Sequence, residues 1–273
     1  TVVKESPAQV LAKLDAELAE FVLDIDAVDS ELDTSSFTSV KIGLDRHLRG
    51  VEQWAQRLAL NCGLPKEFVD DLALAGRLHD LGKADRRFQV WLRNGNEVAA
   101  SEEPLAKSDT SATAYALRQQ ARQRSGYPPG ARHELMSLAM IESVEELRGR
   151  SNDWDLVRHL VASHHGWCRP FAPAVVDHNP VWVAHELDGL PLEASSEHRL
   201  ERLDSGVADR FWLLVRRYGW FRLAWFEALL RLADHRESEQ EQREGEFEPA
   251  TASLAGSQES EGLVGALSIG GGK

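Results

Sequence analysis

The chain has 273 residues, 42% of them apolar, and carries 31 Lys and Arg against 44 Asp and Glu, a formal net charge of −13. Such a length and apolar share suffice for one large core or two small ones, and no apolar run approaches membrane-spanning length, so the expected class is a soluble globular protein with no membrane partner. Two cysteines, Cys62 and Cys168, give no basis for a disulfide scaffold and suit a reducing, cytoplasmic setting. The acidity argues at first against a polyanionic partner, but its distribution along the chain removes that objection. Residues 1–40 carry −7 and residues 237–273 carry −6, while residues 41–236 are balanced at 27 against 27. The central body is locally basic at Arg77, Lys83, Arg86, Arg87 and Arg93, so a phosphate-bearing substrate is permitted there.

In chain order, Val10, Leu11, Leu14, Leu18, Phe21 and Val22 predict a leading helix over 6–27, followed by a linker through "DSELDTSSFTS". Helices are expected from about Ile42 to Leu60, where "CGLP" stops the pattern, and from about 65 to 81, with Pro65 in the first turn. Gly82 interrupts, and 84–92 forms a short helix with Phe88 and Trp91 turned inward. Residues 94–130 are polar and loop-like apart from a helix near 111–124, before "YPPG". Helices follow at 131–148 and 153–166. The Pro-rich run "CRPFAPAVVDHNP" is irregular, and 181–203 is loop with a short strand at "VWVAHEL". Helices at 207–218 and 219–237 close the body, and 239–273 reads as an acidic, Gly/Ser-rich mobile tail or linker. The whole is an all-α helical bundle with little or no β structure. Because residue 1 is Thr and no signal peptide follows, the chain reads as a piece of something longer.

The chemistry lies where apolar helices end in ionisable groups. "GRLHDLGKADRRFQVWL" places His79 and Asp80 about 100° apart around the axis, so both reach a point beyond the helix end. "VASHHG" ends another apolar run in His164 and His165. His47 lies on the apolar side of its helix with Leu44, Val51 and Trp54, and Asp45 beside it suits a helix start. His133 opens a helix whose inner face is Leu135, Leu138 and Ala139. Asp234 ends a strongly apolar helix, where a lone carboxylate is costly without a cation. Singly, each such residue is more often a surface or hydrogen-bonded core group; together they ask for divalent cations to compensate their charge and lone pairs. Mixed N and O donors in this number exceed one tetrahedral ion and point to two ions, with Mn, Fe, Ni or Co the best suited, Zn compatible and Mg possible. Cys168 is not required by this set, and His159, His178, His185, His198 and His235 have ordinary surface explanations.

The residues "RHL" at 46–48, "HDLGKADRRFQ" at 79–89, "RHE" at 132–134, "SHHG" at 163–166 and "RLADHRES" at 231–238 resemble, in this order, the HD nuclease domain of the CRISPR-associated helicase-nuclease of type I systems. The resemblance covers roughly residues 40–238 and divides the chain into 1–40, an HD domain at 41–238 and the tail at 239–273. It implies an α-helical bundle and metal-dependent cleavage of single-stranded DNA displaced by an RNA-guided surveillance complex and fed by a helicase. It also implies that His47, His79, Asp80 and Asp234 hold one metal and His133, His164 and His165 the other, with Asp80 bridging and Lys83 near the scissile phosphate. The helicase is not within this chain: the Walker-like "GALSIGGGK" at 265–273 has Gly271 where lysine belongs. The motor is therefore expected on the same natural chain or as a separate subunit.

The expected chemistry is two-metal hydrolysis in which Asp80 positions the ions and Lys83 neutralises charge on the non-bridging oxygens. Arg86, Arg87 and Arg169 are candidates to guide the strand, with Trp167 or Phe171 stacking on a base; ordinary surface charge and packing are the simpler explanation for all five. Two other readings use the same residues. One is an HD phosphohydrolase acting on a nucleotide or cyclic nucleotide, told apart by a closed pocket. The other is a non-catalytic helical docking module, told apart by the absence of bound metal.

Overall fold

The computed structural model describes residues 40–108, 115–175 and 177–255. The expected leading helix, its linker and the Walker-like run lie outside these residues. Within them the chain is mostly helical, with two small two-stranded sheets. No helix among the described residues is long and apolar enough to cross a membrane.

Helix α1 (Leu44–Asn61) buries Leu44, His47, Leu48, Val51, Ala55 and Ala59, one face at three- and four-residue spacing. Helix α2 (Lys66–Leu78) starts after Pro65 and packs along α1, and its last four residues, Ala75 to Leu78, are all buried. A 3₁₀ turn, Leu81–Ala84, follows, and then α3 (Arg86–Leu92), capped by Asp85, which accepts from the Arg87 amide at 2.8 Å. Strand β1 (Ile42–Gly43) pairs antiparallel with β2 (Leu105–Lys107), bringing the 105–107 segment against the start of α1. Helix α4 (Tyr115–Ser125) sits over α3, and Phe88, Trp91, Leu92, Leu105, Ala121 and Tyr127 form a satellite core between them. The inward turn expected of Phe88 and Trp91 is what the structure has.

The single helix expected over 131–148 is two, α5 (His133–Glu142) and α6 (Glu145–Gly149). Ser143 donates its hydroxyl to the Met140 carbonyl at 2.6 Å, and Val144 then takes an extended conformation, which ends the first ladder. Helix α7 (Trp154–Ser163) starts at Asp153, whose carboxylate accepts from the Asp155 and Leu156 amides. Residues 181–203 hold more order than expected: β3 (Trp182–Leu187) and β4 (Leu190–Ser195) form an antiparallel hairpin. Its turn is Asp188-Gly189, with φ of 52° and 78°, the left-handed pair that closes two-residue hairpins. Arg77 at the end of α2 grips Asp188 at 2.8 Å, and His185 pairs with Asp45 at 3.0 Å, so the hairpin is fastened to the first two helices.

Helix α8 (Val207–Tyr218) and helix α9 (Trp220–Ala255) complete the described residues. The helix expected to stop near 237 runs to Ala255. Residues 237–246 lack apolar side chains, which reads as a tail, yet Glu237 and Glu241 are buried against the body. The main core gathers Leu48, Leu72, Leu138, Leu160, Leu214 and Phe226 from α1, α2, α5, α7, α8 and α9.

Candidate metal centre

Three helix ends and the sides of two further helices meet at a point. His79 caps α2, and Asp80 begins the 3₁₀ turn after it. Gly82 then lets that turn lie directly on the first turn of α5: a Cβ there would stand 2.0 Å from the His133 carbonyl oxygen and 2.8 Å from the Ser137 amide. The Gly82 amide donates to Ser137 Oγ at 2.8 Å, which itself donates to the His133 carbonyl at 3.0 Å. This contact brings the His79-Asp80 pair against His133, the first residue of α5. His164 and His165 follow the end of α7, His47 faces inward from α1, and Asp234 comes from α9.

Every histidine predicted to serve is in this cluster. Their rings form a chain, with centroids 5.6 Å apart for His47 and His79, 4.9 Å for His79 and His164, 4.1 Å for His164 and His165, and 4.9 Å for His165 and His133. Asp80 lies at the middle and divides its oxygens between two groups. Its Oδ2 is 3.4 Å from His79 Nε2 and 3.6 Å from His47 Nε2, while its Oδ1 is 3.0 Å from His133 Nε2 and 3.4 Å from His164 Nε2. His165 Nε2 stands 3.2 Å from His133 Nε2. Two sets of donor atoms result, each within 4.8 Å of one another: His47, His79 and Asp80, and Asp80, His133, His164 and His165. Asp234 adjoins the first set, its Oδ1 3.2 Å from His47 Nε2.

The other ring nitrogens settle what these atoms can do. His79 Nδ1 donates to the Gly76 carbonyl at 2.9 Å and His164 Nδ1 to the Val161 carbonyl at 2.8 Å. A carbonyl only accepts, so in the neutral ring each Nε2 keeps a lone pair and turns it inward. Correspondingly, His47 Nε2, His79 Nε2, His164 Nε2 and Asp80 Oδ1 are buried without a hydrogen-bond partner. Buried polar atoms without partners are costly, and four of them aimed at one place make a coherent site only around cations. A divalent ion therefore fits each group: the donors are imidazole nitrogen and carboxylate oxygen, suited to mid-row divalent metals.

The electrostatics of the protein alone agree. Burial disfavours the charged form of Asp80, yet His79, Lys83, His133 and His164 overcome it and hold the carboxyl well below its ordinary range. Asp234 is likewise held low against burial, by His47 first. For His47 burial opposes protonation, but the nearby carboxylates of Asp234 and Glu241 outweigh it and raise the pKa to about 9. His165 is driven well below its usual value, by burial first and then by its neighbours His164 and His133. The protein thus surrounds ionised carboxylates with rings whose protons a metal can displace.

Lys83 is buried, its Nζ 2.7 Å from Asp80 Oδ2 and 3.3 Å from the Ala106 carbonyl. Its ammonium stands against the shared carboxylate rather than in solvent. The three arginines proposed to guide a strand part company. Arg86 is exposed, with a long 3.4 Å bond to the Glu97 carbonyl. Arg87 is bound to Asp85 and Asp177, each at 2.8 Å, and joins α3 to the loop before the hairpin. Arg169 pairs with Glu227 at 2.7 Å, beside exposed Phe171, while Trp167 is half-buried under the Arg132 guanidinium. His159, expected at the surface, is buried and shares Glu227 at 2.7 Å. The α7 turn that carries it also faces α9, and the sequence pattern hid a face apolar enough to bury an imidazole with a carboxylate. Cys168 is buried and outside both groups, and burial pushes its thiol up to about 12.

Sequence reasoning missed Glu241 and Lys107. Glu241 bonds His47 Nδ1 through both oxygens, at 3.0 and 3.2 Å, and lies 3.3 Å from Lys107 Nζ. The available signal was its place seven residues after Asp234, the same face two turns on. Nothing in "EEPLAKS" marks Lys107.

Imidazoles turned inward around a shared carboxylate in a helical bundle are consistent with the HD helical fold, a class of metal-binding hydrolases. The sequence itself gives the family: the model described as Cas3, HD domain, matches residues 34–260. The chain belongs to that family, and it is accordingly a CRISPR-associated HD nuclease domain. No curated protein and no solved structure gives a significant match.

Proposed function

We propose that this chain cuts single-stranded DNA with two divalent ions during type I CRISPR interference. In this reading a helicase, on the same natural chain or as a separate subunit, feeds it the strand, an RNA-guided surveillance complex selects the target, and the setting is the cytoplasm. The observation that carries the two-ion part is the division of Asp80, one oxygen toward each group of histidines. His47, His79, Asp80 and Asp234 would hold one ion, and Asp80, His133, His164 and His165 the other, with Mn, Fe, Ni or Co suited to the donors and Mg possible.

When bound, such ions supply an acidified water as nucleophile and neutralise charge on the phosphoryl oxygens. The chain's own residues do the rest. Asp80 fixes the two groups relative to each other, and Lys83 keeps that carboxylate ionised and oriented, a positioning role rather than a direct reach to phosphate. The Gly76 and Val161 carbonyls hold His79 and His164 in the tautomer that presents Nε2. Arg86 is free to meet a phosphate, and Phe171 is exposed for stacking on a base.

The test is nicking of circular single-stranded DNA with Mn or Ni present. Asp80→Ala should slow it by more than about 100-fold, beyond what losing an outer-shell partner of a ligand costs. Cutting at the parental rate removes Asp80 from the mechanism, and hydrolysis of a cyclic nucleotide with the circle left intact would make this a small-molecule phosphohydrolase instead.

A further inference from the structure

The metal-ligand motif ends at Asp234, but α9 continues, and what it does next bears on the centre. Two turns on, Glu241 is 1% exposed and accepts from His47 Nδ1 with both oxygens, at 3.0 and 3.2 Å. Lys107, 2% exposed on β2, lies 3.3 Å from Glu241 Oε2 and donates to Ser238 Oγ. We propose that Glu241 is a positioning residue of the metal centre, charge-balanced by Lys107, that fixes His47 in the tautomer with Nε2 open to a cation. This rests on the two-ion reading.

The argument is one of buried hydrogen bonds. His79 and His164 follow helix C-termini and have main-chain carbonyls to hold their outer nitrogen, whereas His47 lies in the first turn of α1, where the carbonyls are used by the helix ladder. Its outer nitrogen needs a side chain, and Glu241 supplies it. A carboxylate accepts and cannot donate, so Nδ1 carries a hydrogen in either protonation state, and a cation can displace only the hydrogen on Nε2, which faces Asp80 and Asp234 at 3.6 and 3.2 Å. The negative partner also makes the ring a stronger donor to metal. A buried glutamate would be too costly alone; Lys107 offsets it, and the pairing of β1 with β2 sets that lysine beside α1. Three side chains, from β2, α9 and α1, thus form a line ending at the ion.

The experiment is calorimetric titration of Mn(II) into the full chain, beside ¹⁵N NMR of the His47 ring in the metal-free protein at a pH above about 9, where the ring is neutral, for the parent, Glu241→Met and Glu241→Gln. Methionine keeps bulk without the acceptor; the glutamine amide oxygen can still accept from Nδ1–H. The expected result is an on the order of 10- to 100-fold loss of affinity at one of the parental sites in Glu241→Met, with a mixture of His47 tautomers, and partial recovery in Glu241→Gln. Parental affinity and a single Nδ1–H tautomer in Glu241→Met would overturn the proposal. Should that variant fail to fold, Glu241→Gln decides: intermediate weakening supports the role, and unchanged affinity overturns it. A parent that takes up no Mn(II) would instead remove the two-ion reading beneath it.

Discussion

Asp80 and Lys83 show how one pair serves two states of the site. Without metal, Lys83 at 2.7 Å is the nearest full positive charge to a buried carboxylate that the cluster keeps ionised. Breaking a buried pair from one side leaves an uncompensated charge, at a typical cost of about 3–5 kcal/mol. Lys83→Met should therefore destabilise the metal-free protein by about that much in urea unfolding, and saturating Mn(II), which brings its own positive charge to Asp80, should restore part of the loss. Equal destabilisation with and without Mn(II) would mean that the lysine acts through packing alone. Partners separate the arginines in the same way: Arg87 is held by two carboxylates and belongs to the fold, and Arg86 has, among the described residues, a long bond to a carbonyl. Sequence could place Asp80 and the histidines because each interrupts an apolar helix, but it could not rank the arginines, since their partners Asp177 and Glu227 lie 90 and 58 residues away along the chain.

Elements convert these residues into a site, and the 3₁₀ turn after α2 is the most exacting. A methyl group on Gly82 would meet the His133 carbonyl at 2.0 Å, a backbone atom that cannot step aside as a side chain would. Gly82→Ala should part Asp80 from His133, costing about 1–3 kcal/mol in stability and weakening Mn(II) uptake; a variant with parental melting and uptake would show that the turn tolerates displacement. The start of α7 offers a separate check away from the metals. Burial opposes ionisation of Asp153, yet Arg217, Tyr218 and the helix amides hold its carboxyl below the ordinary value. A group depressed in the folded state stabilises above its unfolded value, near 3.8, and that contribution fades as the pH falls through the folded value. Asp153→Ala should accordingly cost about 1–2 kcal/mol at pH 7 and progressively less in acid, measured by urea unfolding against pH. The helices themselves were legible because their apolar spacing is regular, as in α1 and α2. The hairpin was only half legible: β3 alternates weakly, and the Asp188-Gly189 turn that pairs it with β4 is a two-residue signal within a Pro-rich neighbourhood. Helix α9 past 237 was hidden because its burial is made by carboxylates, Glu237 and Glu241, and hydrophobic periodicity does not register a charged face that a lysine and a histidine balance.

At the scale of the molecule, those buried carboxylates alter the meaning of a net charge of −13. Part of the acidity assigned to a solvated tail faces inward, against Lys107 and His47, and so does not repel an approaching strand as surface charge would. The same inward charge makes the fold depend on cations. Donor atoms from α1, from the ends of α2 and α7 and from the first residue of α5 converge on Asp80, with Asp234 of α9 against His47, so an ion bound there ties together helices that otherwise hold one another by apolar contact. The converged arrangement exists only when the chain is folded, and binding must then stabilise the folded state by mass action: at free Mn(II) about 100 times the dissociation constant, one site adds about 2.7 kcal/mol. For a domain of this size each kcal/mol moves the melting midpoint by roughly 2–4 °C, so Mn(II) should raise it by about 5–11 °C and EDTA should reverse the change. Asp80→Asn, which preserves shape but removes the shared charge, should melt at nearly the same temperature with and without the ion. A rise in that variant equal to the parental rise would place the bound metal somewhere other than between the two groups of histidines, and the linkage between cation and helix packing would have to be sought at a different surface.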